Sequence, residues 1–397
     1  MQKGLIPPFQ PQRKILRTLY GSMFFFSFHT YIFLYTQSTF ISKYVPENYL
    51  SLIYGIGAVI SLTTLFFIPK VFGLISDRQL TLTLIGIETI LCILLAYGKS
   101  AYLIILIFII QQALIPVLAF TLDVLIEDFS KNRDTGLIRG IAFTSANIAL
   151  VSSPLLAGYI GTRFGFNTIF YVSIIFLLPL FALIFSLRKN MHEPTYHAQS
   201  VMETIKKIHH DFSVRSRDIQ MIFMVNLLLQ IFYTWMVIYS PLYLLHQGFT
   251  WDQIGIIFSI MLLPFLFLEL PLGKIADRWL GEKEILVIGF IILGVSTIAL
   301  AFINSSSLAV WATALLMTRV GASCIEIMSE TYFFKQIHKN EAPIISLFRF
   351  ARPVSLLIAP IIAAFAILVT GETAAFLILG LLMLFGLRFV YPLIDTR

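Results

Sequence analysis

Apolar residues run along this chain in long unbroken stretches separated by short polar turns, rather than alternating with polar ones. The run YLIILIFII at 102–110 shows the pattern: nothing in it alternates, so it does not read as a barrel strand with unlike faces. Stretches of about 18 or more such residues cross a hydrocarbon core of ~30 Å as helices rising ~1.5 Å per residue. Twelve are predicted, at 18–41, 50–69, 80–98, 101–126, 137–161, 167–187, 219–245, 252–272, 284–304, 307–330, 343–369 and 373–393. The one long polar stretch, RKNMHEPTYHAQSVMETIKKIHHDFSVRSRD, divides them six and six. The predicted architecture is an all-α integral membrane protein: a six-helix bundle over 1–187, a linker over 188–218 and a second six-helix bundle over 219–397.

Composition supports this reading. Of 397 residues, 58% are hydrophobic and 12% charged, with a mean hydropathy of +0.87, beyond the range of soluble domains. Charge then sets the orientation, because Lys and Arg are retained in cytoplasmic loops. With the N-terminus inside, only Lys43, Lys99 and Arg163 fall on the opposite side, and Arg319 lies inside a span. Both termini and the linker are therefore expected to be cytoplasmic, in a multi-pass cell membrane protein. The net charge of +7 reflects that asymmetry and is not the footprint of a nucleic-acid partner. The first span follows basic residues as a signal peptide would, but it is too long and ends in TFISKY without a small-residue cleavage site, so it reads as an uncleaved helix.

Cys92 and Cys324 both fall within spans and read as small packing residues, outside disulfide or metal logic. His192, His197, His209 and His210 crowd the linker without ligand spacing, so no metal is expected. There is no Walker motif, HExxH or GxSxG, and hence no expectation of direct ATP use, a cofactor or an enzyme.

The chain also repeats itself. The turn FGLISDRQ at 72–79 returns as LGKIADRW at 272–279, so that Gly55, Gly73, Asp77 and Arg78 recur as Gly255, Gly273, Asp277 and Arg278. Asp123 and Glu127 in span 4 correspond to Glu326 and Glu330 in span 10, and ALVSSPLLAG in span 5 to SLLIAPIIAA in span 11. Matched features in one order indicate a duplicated six-helix unit. Twelve spans, a 6+6 repeat, a central cytoplasmic loop and G-x-x-x-D-R turns after spans 2 and 8 resemble the major facilitator superfamily of secondary transporters. The second turn continues into the basic tail of the family signature; the first breaks off into QLTLTL.

That resemblance implies alternating access and a cytoplasmic gate. Gly73, Asp77, Arg78, Asp123, Glu127 and Arg139 would form it in the first half, and Gly273, Asp277, Arg278, Glu330 and Arg349 in the second, with Arg352 and Glu269 beside them. It also implies that spans 1, 4, 7 and 10 line a central cavity. The residues themselves add detail. Arg319, in the middle of span 10, costs ~2.5 to 3.5 kcal/mol to insert at the centre of a membrane, so it must face a partner or a cavity. Glu326, two turns on, is either its ion-pair partner or a proton-exchanging neighbour of a bound anion. His29 is a candidate proton relay or a hydrogen-bonded buried histidine. Gln37, Gln112, Asn147, Asn226, Gln230 and Tyr233 are the remaining cavity candidates, with Phe26 and Phe33 as walls and one of Gln111 and Gln112 facing inward. Glu88 in span 3 has no partner in the sequence.

Span 5 resembles the superfamily's antiporter motif, with Ala149, Ser153, Pro154, Ala157 and Gly158 at its small positions. The expectation is a monomeric, proton-coupled exporter of a small organic solute in membrane lipid. Uptake of a sugar-like or carboxylate solute, and a transport-inactive membrane sensor, are the alternatives.

Overall fold

The computed structural model describes residues 10–72, 75–129, 135–187, 217–278, 280–336 and 342–394. Each predicted span falls on helix. The first half comprises α1 (Gln10–Leu34), α2 (Gln37–Ser42), a 3-10 turn (Glu47–Tyr49), α3 (Leu50–Phe72), α4 (Asp77–Tyr97), α5 (Ala101–Phe129), α6 (Thr135–Phe164) and α7 (Phe166–Ser186). The second comprises α8 (Arg217–His246), α9 (Trp251–Phe267), α10 (Glu269–Arg278), α11 (Glu282–Leu300), α12 (Leu308–Gln336), α13 (Ala342–Thr370), α14 (Glu372–Phe385) and α15 (Leu387–Val390). Among the described residues nine helices are long and apolar enough to cross a membrane. The predicted linker lies outside the described residues, apart from its last two positions, which open α8.

Three predicted spans are broken. Span 1 splits at Tyr35 and Thr36, where the Thr36 hydroxyl and amide both bond to the Phe33 carbonyl, at 3.1 and 3.0 Å. A threonine hydroxyl competing for a helical acceptor bends the helix at that point. Span 8 ends α9 at Phe267 and restarts at Glu269; Pro271, which has no amide hydrogen to give, sits in the first turn of α10, where none is needed. Span 12 stops at Gly386 before the short α15.

The duplication in sequence is a duplication in packing. α1 packs on α6 and α7, α3 on α5, and α4 on α5 and α7; correspondingly α8 packs on α13 and α14, α9 on α12, and α11 on α12 and α14. Between the halves the main contacts are α6 with α9 and α3 with α13. Spans 5 and 8, and spans 11 and 2, are the same pair with the repeats exchanged, as a two-fold relation requires. An apolar core runs through both halves, and a smaller one joins α1, α4, α5 and α7 around Leu84, Leu118 and Leu180.

The two inter-half contacts are unequal. At α6–α9, a side chain on Gly158 would run into the Trp251 carbonyl and lie 3.0 Å from Gly255 Cα, and one on Gly255 would lie 2.5 Å from the Pro154 carbonyl. The small positions of span 5 thus let two backbones touch, the usual role of small residues between membrane helices. Gly55, the counterpart of Gly255, has no atom within 4 Å of such a position.

Candidate functional site

Among the described residues, two clusters of buried polar side chains hold the predicted histidine and arginine candidates. The first lies between α1, α4, α5 and α7. His29, Glu88, Gln111 and Ser173 are fully buried there, with Cys92 beside them. The His29 ring places Nδ1 3.3 Å from the Ser173 carbonyl and Nε2 3.2 Å from Glu88 Oε1. A carbonyl only accepts, so Nδ1 carries a hydrogen, and one further proton is shared between Nε2 and Oε1. Glu88 Oε1 also accepts from Gln111 Nε2 at 2.7 Å and from the Cys92 thiol at 3.4 Å. Only Glu88 Oε2 and Gln111 Oε1 are left without partners. Glu88 therefore has a partner after all, 59 residues away on another helix.

The second centre lies between α1, α8, α12 and α13. Arg319 on α12 is 1% exposed, yet Nε, Nη1 and Nη2 all lack a hydrogen-bond partner. Its guanidinium rests 5.0 Å from the Phe232 ring centre and 5.4 Å from that of Tyr233. Tyr35, at the break in span 1, is close enough to interact with it electrostatically but makes no hydrogen bond of normal geometry to it. Glu326 does not close onto Arg319; its Oε2 accepts from the Tyr233 hydroxyl at 2.8 Å. Tyr31 faces both Glu326 and Arg352, so groups from both halves surround this centre.

The other predicted cavity residues divide into local pairs. Gln112 Nε2 donates to Gln37 Oε1 at 2.8 Å, joining spans 1 and 4, while Gln111 points into the His29 centre. Asn147 donates to the Phe265 carbonyl at 3.2 Å, across the α6–α9 contact. Asn226 donates to the Phe348 carbonyl at 3.0 Å, and Gln230 to Asn226 Oδ1 at 3.4 Å. Phe33 and Phe26 are buried packing residues, Phe33 stacking on Phe170 at 5.9 Å.

For the predicted gate, Gly73 and the side chains of Glu127, Arg139, Glu269, Asp277, Arg278 and Arg349 lie outside the described residues. Asp77 is buried at the start of α4, where its charge complements the helix dipole. Arg78 reaches within its own half: it donates to the Ile184 and Phe185 carbonyls at 3.2 and 2.6 Å, tying down the free end of α7. Asp123 and Glu330 are exposed, and Gly273 has open space around it.

We call the face on which α2 and α8 end the distal face. There, contacts cross between the halves. Thr162 accepts from the Asp252 amide at 2.9 Å, Phe166 packs edge-on against Trp251 at 5.0 Å, and the Tyr239 and Ser51 hydroxyls bond at 2.8 Å. None of these was foreseen from sequence, because each partner lies on a different helix with no motif to mark it. Lys43 lies over the Phe166 ring at 4.2 Å, and burial lowers its pKa from the ordinary lysine value.

Comparison with known proteins follows the same lines. The Major Facilitator Superfamily profile matches residues 19–352, with a second match over 244–396. No curated protein sequence matches significantly. Among solved structures, a POT family transporter in complex with 5-aminolevulinic acid is similar at a TM-score of 0.72 and 14% identity, covering 98% of this chain and 97% of that one. A glutamate-to-glutamine mutant of the peptide transporter POT in complex with sulfate is similar at 0.75 and 13%, covering 95% and 93%. An aspartate-to-alanine mutant of the nucleoside transporter NupG is similar at 0.74 and 12%, covering 95% and 99%. At these identities the likeness is one of fold, whereas the profile match spans nearly the whole sequence. This multi-pass membrane chain belongs to the major facilitator superfamily, whose members are secondary transporters of small solutes.

Proposed function

We propose that the chain is a proton-coupled secondary transporter that binds a small organic solute through an anionic group, at Arg319, and exports it across the cell membrane by alternating access. One observation carries the reading: a permanent cation, 1% exposed, whose three nitrogens have no partner. Burying an unpaired charge is costly, and a planar guanidinium is shaped to take a carboxylate or phosphate with two parallel hydrogen bonds. The Phe232 and Tyr233 rings hold the guanidinium from one side without consuming its donors. The ligands named for two of the similar structures, 5-aminolevulinic acid and sulfate, have the matching anionic chemistry.

Glu326 is the proton-exchanging group in this reading. Its carboxylate is held by Tyr233, the residue whose ring also lies under Arg319, so a change of charge on Glu326 is felt at the solute position. Residues 1–187 and 219–397 act as the two moving units and 188–218 as their cytoplasmic tether, with the distal face outward. The resemblance of span 5 to the antiporter motif favours export.

The test is flux in liposomes holding an internal pH dye, screened with small carboxylates and phosphates under an imposed proton gradient. Arg319→Gln is expected to lose transport by more than ~100-fold, the worth of two charge-assisted hydrogen bonds at ~1.5 to 3 kcal/mol each. Glu326→Gln is expected to keep solute exchange while losing proton movement. Wild-type KM in Arg319→Gln, or full coupling in Glu326→Gln, would overturn the assignments, and solute uptake driven by an inward proton gradient would reverse the direction.

A further inference from the structure

On the distal face, away from both buried centres, three titratable side chains from separate segments meet. Glu47 lies in the 3-10 turn before α3, His246 ends α8, and Glu372 opens α14. His246 Nε2 lies 3.3 Å from Glu47 Oε1, and Nδ1 lies 2.9 Å from Glu372 Oε2. One donor atom from each residue lies within 4.8 Å of the other two. The side chains are 45%, 40% and 42% exposed for His246, Glu47 and Glu372, so an ion reaches them directly from solvent. The two carboxylates are the charged groups that face the ring.

We propose that Glu47, His246 and Glu372 form a binding site for a divalent transition-metal ion of the zinc class, bridging the two halves of the chain. Three features carry it. The first is charge: two carboxylates against one imidazole leave a formal excess of one negative charge when the ring is protonated and two when it is neutral, which a divalent cation balances. The second is donor type, since an imidazole nitrogen among carboxylate oxygens selects zinc-like ions over magnesium or calcium, which prefer oxygen alone.

The third is geometry. Two ligands bound at ~2.0 to 2.2 Å to one ion at tetrahedral or octahedral angles stand roughly 3 Å apart, and the Nδ1 to Glu372 distance of 2.9 Å is of that size. The ion takes Nδ1 and Glu372, with water completing its shell. The Nε2 hydrogen stays directed at Glu47, the outer carboxylate that metal-bound histidines commonly hold. His246 and Glu372, which hold the ion, belong to the second half and Glu47 to the first, so the Nε2–H bond to Glu47 completes the site only while the distal face is closed. Zinc on Nδ1 makes Nε2–H a stronger donor to Glu47 and so favours the closed face.

The experiment is calorimetric titration of the purified full-length chain in detergent with Zn2+, and with Mg2+ as the control. We expect a zinc-binding event in the wild type that His246→Ala and Glu372→Gln each weaken at least tenfold, that Glu47→Gln weakens less, and that Mg2+ does not reproduce. Protons compete for the ring nitrogen, so binding weakens as pH falls from about 7.5 to 5.5. Zinc should also raise the thermal unfolding midpoint of wild type and not of His246→Ala, which checks that the variant is folded and blind to the ion. No zinc event in wild type, or a His246→Ala titration that superimposes on it, would overturn the site. Both readouts are made without any solute, so a failure of the transport reading leaves them untouched.

Discussion

The His29 centre and the Arg319 centre are both buried among helices, but they treat their polar groups in opposite ways. In the first, four side chains from three helices spend most of their donors and acceptors on one another, around Glu88 Oε1. In the second, a guanidinium with three nitrogens to satisfy has only aromatic rings beneath it, and the nearby carboxylate is engaged by a tyrosine. A low-dielectric interior makes a closed network rigid and an unfinished one expensive. One centre thus contributes to holding its helices together. The other carries a cost that something from outside the chain can offset.

The contrast is broken most sharply at His29. His29→Leu leaves Glu88 without its main partner, and removing one member of a buried pair costs ~3 to 5 kcal/mol. The measurement is unfolding in mixed detergent, with His29→Gln, which keeps a donor, expected to lose less. Arg319→Met is expected to move stability the other way, raising it by ~1 to 4 kcal/mol as a buried charge gives way to an apolar chain. It should abolish solute binding at the same time. Equal destabilisation by both variants would erase the distinction between the centres.

Smaller effects sharpen the comparison between the two inter-half contacts. Gly158→Ala forces a methyl into the α9 backbone and is expected to cost ~1 to 3 kcal/mol, whereas Gly55→Ala, at the open counterpart, is expected to be neutral or slightly stabilising through the better helix propensity of alanine. Thermal unfolding of the two variants side by side tests this. Arg78→Gln, which frees the end of α7, is expected to cost only ~0.3 to 1 kcal/mol. The same unfolding measurement reads it, and a loss several times larger would mean that Arg78 does more than cap a helix.

The spans were legible because lipid demands long apolar stretches, and that demand is written residue by residue. Breaks within them were not, since the Thr36 bond to Phe33 is one conformational choice among several open to a threonine. Arg319 was legible from its cost alone: an arginine in the middle of an apolar run calls for an explanation wherever it points. The pairing of His29 with Glu88, and of Glu47 and Glu372 with His246, was hidden because it depends on how each helix is rotated against its neighbours. No spacing within one helix encodes that. Arg78 was legible as part of a recurring motif, but its bonds to the end of α7 were not, since they too depend on how two helices are set against each other.

The touching backbones of Gly158 and Gly255 have a dynamic consequence. Where side chains interdigitate, turning one helix against another means re-sorting rotamers and losing packed contacts. Two Cα groups in contact have no rotamers to re-sort. Any swing of α6 against α9 at this point therefore carries no side-chain entropy penalty, and the pair can serve as a plain bearing while the rest of the interface changes partners.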